Sequence, residues 1–307
     1  MRRVLVPLDG THLAASILPE AKLLAGKGGD LILISDSIGT VSNGAVFDHS
    51  EEHAVQDAFA SLETQAEQIR SEGIAVETHV FAMDDPVDAI DVAARKYHAD
   101  IVVCATHGRG PWGRMLHGGV EWRTLAHSPV PVLIRNVEAP SGYPSILEPE
   151  LRILVPLDGS KLAERALPLA KELMQEWNAS TWLVHVVSSY PVTGFSRTAI
   201  DPNAVTDDHA RDAAQQYLDE VAVGLDATTH QHVLFGEVTE HLVAAVRAWG
   251  ITHVVMASHG RTGLAHVVLG SVADDLIQRL PCPIIIVPLH ASTASEQTQT
   301  AVLAGRM

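Results

Sequence analysis

The sequence predicts an α/β protein of two tandem domains, each a doubly wound, five-stranded parallel sheet with helices on both faces. Three observations predict it. The chain repeats itself in four ordered blocks. Each copy alternates strand-like and helix-like runs. Hydrophobic residues make up 47% but aromatics only 5%, so the cores must be filled with Ala, Val, Leu and Ile, which suits parallel strands buried on both faces. A length of 307 residues agrees with two domains of roughly 100–200 residues each.

The repeat comes first. Val4-Leu-Val-Pro-Leu-Asp-Gly10 returns as Ile153-Leu-Val-Pro-Leu-Asp-Gly159. Leu18-Pro-Glu-Ala-Lys22 returns as Leu167-Pro-Leu-Ala-Lys171. Val102-Val-Cys-Ala-Thr-His-Gly108 returns as Val254-Val-Met-Ala-Ser-His-Gly260, and Pro129-Val-Pro-Val-Leu-Ile134 as Pro281-Cys-Pro-Ile-Ile-Ile286. The blocks lie too far apart for a solenoid, so a whole domain is duplicated. Domain 1 is expected over 1–137 and domain 2 over 151–289. The Pro, Gly and Ser of 138–150 read as a linker, and the Ala, Ser, Thr and Gln of 290–307 as a loosely attached tail.

The elements follow in order, clearest in the second half. Residues 152–157 are an apolar strand. Leu162, Ala163, Ala166, Leu167, Ala170 and Leu173 then recur at helical spacing, with Ser160 placed as the cap and Pro168 expected to kink the helix. Strands are expected at 181–187, 230–235, 253–258 and 282–287. Helices are expected at 210–222, 239–249 and 271–279. The first half follows the same plan. Alternation of this kind implies parallel strands joined by right-handed crossovers. Ligands then bind beyond the carboxyl ends of strands, where the strand order reverses.

Two motifs lie at such ends. Asp9 and Asp158 close the first strand of each half. A carboxylate there can accept hydrogen bonds from a ligand, and it can equally serve an Asp-Gly turn. After the fourth strand of the second half comes Ala257-Ser-His-Gly260, then Gly270-Ser271. Glycines let backbone N–H groups approach a phosphate, and Ser271 opens a helix whose N-terminus favours anions. The same residues could simply make a tight loop and a capped helix.

These residues resemble the universal stress protein family, whose ATP-binding members carry Gly-x2-Gly-x9-Gly-Ser/Thr after strand four. The resemblance covers both halves. It implies a Rossmann-like sheet of order 3-2-1-4-5 and an adenine nucleotide ligand, ATP with or without Mg. It implies that Asp158 and the main chain at Val186 meet the adenine, and that Gly260, Gly270 and Ser271 hold the phosphates and ribose. It also implies an internal pseudo-dimer through the last strands, 130–134 and 282–287, and allows a further homodimer. The corresponding first-half residues are Asp9, Ala105, Gly108, Gly118 and Gly119. Both halves depart from the pattern: the first glycine is Ala257 or Ala105. The first half departs further, with Gly119 in place of Ser271, Asp36 in place of Val186, and Pro111-Trp112 inside the loop. Tighter binding is therefore expected in domain 2. Arg261 could reach a phosphate or stay solvated, whereas Arg109 is read as solvated.

Several classes are set aside. A net charge of −16 repels a nucleic-acid backbone. Gly108-Arg-Gly-Pro-Trp-Gly113 spells a dinucleotide fingerprint, but it follows the fourth strand rather than the first and is not kept in the second copy. His230 and His232 share a strand face, yet no third ligand has suitable spacing for a metal, and His107 and His259 read as support for the loop. Cys104 and Cys282 sit in apolar runs and read as small buried hydrophobes. The start of the chain has too short an apolar run for a signal peptide, and no run reaches the roughly 20 residues of a membrane span, so a cytoplasmic location is expected. Nucleotidyl transferases and ATP pyrophosphatases would carry His-x-Gly-His or Ser-Gly-Gly-x-Asp-Ser where this chain has Pro7-Leu-Asp-Gly-Thr11. With no nucleophile–base pair near Ser271, the expected function is ATP binding in stress response or signalling, with at most slow ATPase activity. The alternative is a ligand-free interaction scaffold.

Overall fold

A computed structural model of the chain describes residues 2–36, 50–81, 83, 85–106, 128–137, 150–188, 207–225, 228–258 and 270–288. The first half runs β1 (Arg3–Pro7), α1 (His12–Ala15), α2 (Leu18–Ala25), β2 (Asp30–Asp36), α3 (Ser50–Ser71), β3 (Ala75–Phe81), α4 (Pro86–Lys96), β4 (Ile101–Thr106) and β5 (Val132–Asn136). The second runs β6 (Arg152–Leu157), a 3-10 turn (Ala163–Ala166), α5 (Leu167–Trp177), β7 (Ser180–Val187), α6 (Asp207–Ala222), β8 (Thr229–Phe235), α7 (Val238–Ala248), β9 (His253–Ala257), α8 (Ser271–Arg279) and β10 (Ile284–Val287). Residues 138–149 of the expected linker and the whole expected tail lie outside the described residues.

The strands lie side by side in the order β3-β2-β1-β4-β5-β10-β9-β6-β7-β8. Within each half every pair is parallel, giving the order 3-2-1-4-5 twice. The halves meet where β5 and β10 pair antiparallel, with Ile134 opposite Ile284, Leu133 opposite Ile285 and Val132 opposite Ile286. Two parallel sheets thus become one mixed sheet of ten strands, joined through the last strands as expected. Each of these strands would otherwise be an open edge, and pairing them covers both.

Prolines set the local boundaries. Strands expected to begin at 130 and 282 begin at 132 and 284, because Pro131 and Pro283 have no N–H to donate. Their carbonyls still accept from Val102 and Val254 N–H at 2.9 and 3.0 Å. The kink expected at Pro168 is a full break: the 3-10 turn ends at Ala166, and Pro168 sits in the first turn of α5. Pro19 occupies the same place in α2. A first-turn proline loses no hydrogen bond, since that N–H has no partner inside the helix.

Alternate strand residues feed two apolar layers. Val4, Val6, Leu133, Val155, Leu183 and Ile285 face one layer of helices. Leu5, Ile134, Leu154, Val184 and Ile286 face the other. Both layers run unbroken across the β5–β10 seam. Beside it Arg2, only 8% exposed, donates to Leu24 O at 3.0 Å and bridges to Glu172 and Glu176 of α5 at 2.6 and 2.9 Å. A charge from the first half is thereby neutralised by the second.

Candidate functional site

From β6 the chain moves outward to β7 and β8, then returns to place β9 on the other side of β6. At such a switch point the flanking loops diverge and leave a crevice. A cavity of about 470 Å³ lies there, within the roughly 300–1,000 Å³ usual for small-molecule sites. Asp158, Val186, Ala257, Gly270 and Ser271 all line it. These five sites, named from the sequence, come from four different elements or their ends.

The walls contain further residues that the motifs did not single out. Leu157, Val184, Val238, Leu242 and Met256 give the cavity an apolar lining. Periodicity could have found some of them. Val184 is two residues from Val186 and shares its strand face, and Val238 and Leu242 are one helical turn apart on α7. With Asp158 they give the cavity mostly apolar walls and one carboxylate.

Asp158 is held by its own turn. Ser160 donates to Asp158 Oδ1 from N–H at 3.0 Å and from Oγ at 2.6 Å. Ser160 Oγ in turn accepts from Ala163 N–H at 3.1 Å, so it closes the short turn ahead of α5 rather than capping the longer helix expected, and α5 itself begins at Leu167 without a side-chain cap. Gly159 between them has φ +84°, a conformation open to glycine at little cost. The turn reading of Asp158 is therefore correct for one oxygen, while the residue still borders the cavity.

Ser271 is the first residue of α8, not its cap; Gly270 is the cap, with no side chain to bond. The first helical bond runs from Asp274 N–H to Gly270 O at 3.0 Å. The N–H groups of Ser271, Val272 and Ala273 precede it and have no acceptor inside the helix. All three residues line the cavity, so the positive end of the helix faces it. Gly270 N–H donates to Ser258 O, and Ser258 N–H to Val287 O, both at 2.9 Å. Ser258 and Gly270 are thus tied to each other and to β10. Gly260, Arg261 and His259 lie outside the described residues.

The first half repeats the turn but not its surroundings. Thr11 donates to Asp9 Oδ1 from N–H at 2.9 Å and from Oγ1 at 2.6 Å, and Thr11 Oγ1 accepts from Ala14 N–H at 3.1 Å. Asp9 Oδ2 is buried without a partner among the described residues. Ala105 lies at the end of β4 opposite Arg135. Arg135 pairs with Glu20 and donates to Ser16 O and Ser16 Oγ at 2.9 Å each. The Glu20 side chain is fully buried; burial raises its pKa and the Arg135 charge acts against that. The repeat places Leu169 and Val287 at these positions in the second half. Gly108, Gly118, Gly119, His107 and Arg109 lie outside the described residues.

The other singled-out residues have structural surroundings. His230 and His232 lie on the edge strand β8 and stack on Trp182 and Trp249, with centroids 4.6 and 4.3 Å apart. Cys282 is buried and Cys104 half-buried, with burial pushing the Cys104 thiol up to about 12. Among the described residues no helix is long and apolar enough to cross a membrane.

Comparison with known proteins agrees with this architecture. The model of the "Universal stress protein family" matches twice, over residues 1–135 and 151–288. A universal stress protein E homolog from Haemophilus influenzae is 24% identical over 246 residues, 76% of this chain and 74% of that protein. Universal stress protein E of Escherichia coli K12 is 24% identical over 241 residues, 74% and 73% of the two chains. Among solved structures, a universal stress protein from Archaeoglobus fulgidus aligns with a TM-score of 0.66 at 23% identity, over 93% of this chain and 96% of its own. One from Pseudomonas aeruginosa aligns with a TM-score of 0.65 at 18% identity, over 98% of each chain; both share the fold. With two tandem matches that together span most of its length, the chain belongs to the universal stress protein family.

Proposed function

We propose that this universal stress protein binds ATP in the cytoplasm, that it does so through its second half, and that the bound nucleotide serves stress response or signalling rather than rapid catalysis. One observation carries the reading. The cavity at the β6/β9 switch point is lined by a carboxylate, by apolar side chains and by the first residues of a helix. In this reading adenine lies against the apolar walls, with its amino group toward Asp158. The phosphates belong at the N–H groups and hydroxyl of Ser271, and by the family motif Gly260 and Arg261 would take part in holding them. Mg, where present, would accompany the phosphates. Ala257, among the lining residues, adds only a methyl group where the family motif has glycine, which leaves room for the ligand.

The first half is the weaker site in this reading. Gly119 offers no hydroxyl where Ser271 does, and one hydrogen bond to a charged group is worth about 1.5–3 kcal/mol, or about ten- to a hundredfold in affinity. Mass spectrometry of the gently purified protein tests the proposal. Co-purifying ATP is the expected result. A protein that is empty and takes up no added ATP would leave it an interaction scaffold.

A further inference from the structure

The Asp158 turn has a neighbour that the family motif does not include. Tyr217, on α6, packs edge-to-face on His185 at 5.8 Å, and His185 pairs with Leu157 beside the turn. The Tyr217 hydroxyl is buried and has no hydrogen-bond partner of good geometry among the described residues. The carboxylates of Glu164 and Asp158 and the N–H of Gly159 surround it. Burial, reinforced by those two carboxylates, raises the phenol pKa, so the group keeps its proton and can only gain by donating it. Lys161 meanwhile engages Glu164 from the solvent side at 2.8 Å. A buried hydroxyl whose approaches to the Glu164 carboxylate and the Gly159 N–H fall short of good hydrogen-bond geometry calls for a reason.

The first half lacks the arrangement. Ser61 stands behind Gly10, with its Oγ 3.8 Å from where a Cβ would project. The repeat and the strand register place Ala15 at the position of Glu164 and Ser35 at that of His185. Among the described residues, tyrosine, glutamate and histidine therefore gather behind the aspartate only in the second half.

We propose that Tyr217 is a positioning residue of the second-half site: its hydroxyl donates to the Asp158 turn when the cavity is filled and fixes the direction in which Asp158 meets the base. The proposal rests on adenine nucleotide binding at Asp158. It predicts that base selectivity depends on a residue that does not line the cavity.

The test is calorimetric titration of the full chain with ATP and with inosine triphosphate, whose base carries a carbonyl in place of the amino donor. Wild type, Asp158→Ala and Tyr217→Phe are compared, with thermal unfolding run alongside. The wild type should prefer ATP, and Asp158→Ala should lose the preference. Tyr217→Phe keeps the ring and its contact with His185. It should bind ATP about three- to tenfold more weakly, with a reduced ATP preference and an unchanged unfolding midpoint. If Tyr217→Phe keeps both affinity and preference while Asp158→Ala loses them, the positioning role is wrong and the binding site stands. A lowered midpoint with unchanged preference makes Tyr217 a packing residue and also overturns the role. If Asp158→Ala itself leaves binding unchanged, the site was misassigned and both readings fall.

Discussion

Asp9 and Asp158 perform the same local task, each anchoring the residue two positions on, yet only Asp158 borders the cavity. This separates two roles that the sequence left in competition. From sequence, Asp158→Ala should leave unfolding nearly unchanged. The hydrogen bonds at Oδ1 revise that: the substitution should cost about 1–2 kcal/mol by freeing the cap, and Asp9→Ala should cost the same. Denaturant titration of the two variants checks the equality. His253 gives a second test at this scale. It is fully buried between Thr252 and Trp177, and burial holds its imidazole down at about 3. The unfolded chain returns to about 6.5 and so takes up a proton that the folded chain refuses. Stability present above about pH 6.5 should fall as the pH drops toward 3, by about 2 kcal/mol at pH 5. His253→Leu should flatten that slope in unfolding measured across the range, and an identical slope in both proteins would remove His253 as the cause.

At the scale of elements, the duplication supplies its own control for the Glu20–Arg135 pair. Removing Arg135 alone leaves a buried carboxylate without its counter-charge, so Arg135→Val should cost about 3 kcal/mol. Glu20→Leu with Arg135→Val installs the pair that α5 and β10 already use, Leu169 and Val287. That double variant should be near wild-type stability or above it, as urea unfolding would show; a loss as large as that of the single variant would mean the pair is worth more than its burial costs. Most elements were legible because period and punctuation agreed. The apolar Ile153-Leu-Val155 run ahead of an Asp-Gly turn, and the apolar run at 253–258, are short enough and bounded well enough to read as strands. What escaped was set by groups that pattern does not weigh. Glu237 begins α7 one residue before the expected start by accepting from Glu240 N–H at 2.7 Å. Gly270 rather than Ser271 caps α8 because its backbone, φ −65° and ψ 144°, is the one that is extended. Val238, Leu242 and Tyr217 reach the cavity or its turn only through packing of α6 and α7 on the sheet, and that distance in sequence carries no motif.

Over the whole molecule, the seam decides behaviour. The two apolar layers and the Arg2 bridges cross from one half to the other, so neither half can open without exposing part of the other's core. Scanning calorimetry should show one cooperative transition with matching calorimetric and van't Hoff enthalpies, and solution scattering should show a single rigid particle. Two resolved transitions would mean that the seam is weaker than the cores. The same sheet carries two switch points of like topology and unlike chemistry, and the account stands on that asymmetry. Its most direct test is calorimetric titration of the full chain with ATP, comparing wild type, Asp158→Ala and Asp9→Ala. The prediction is that Asp158→Ala removes the tight site while Asp9→Ala, equally destabilised, keeps it; retention of tight binding in Asp158→Ala, or its loss in Asp9→Ala alone, would contradict the assignment.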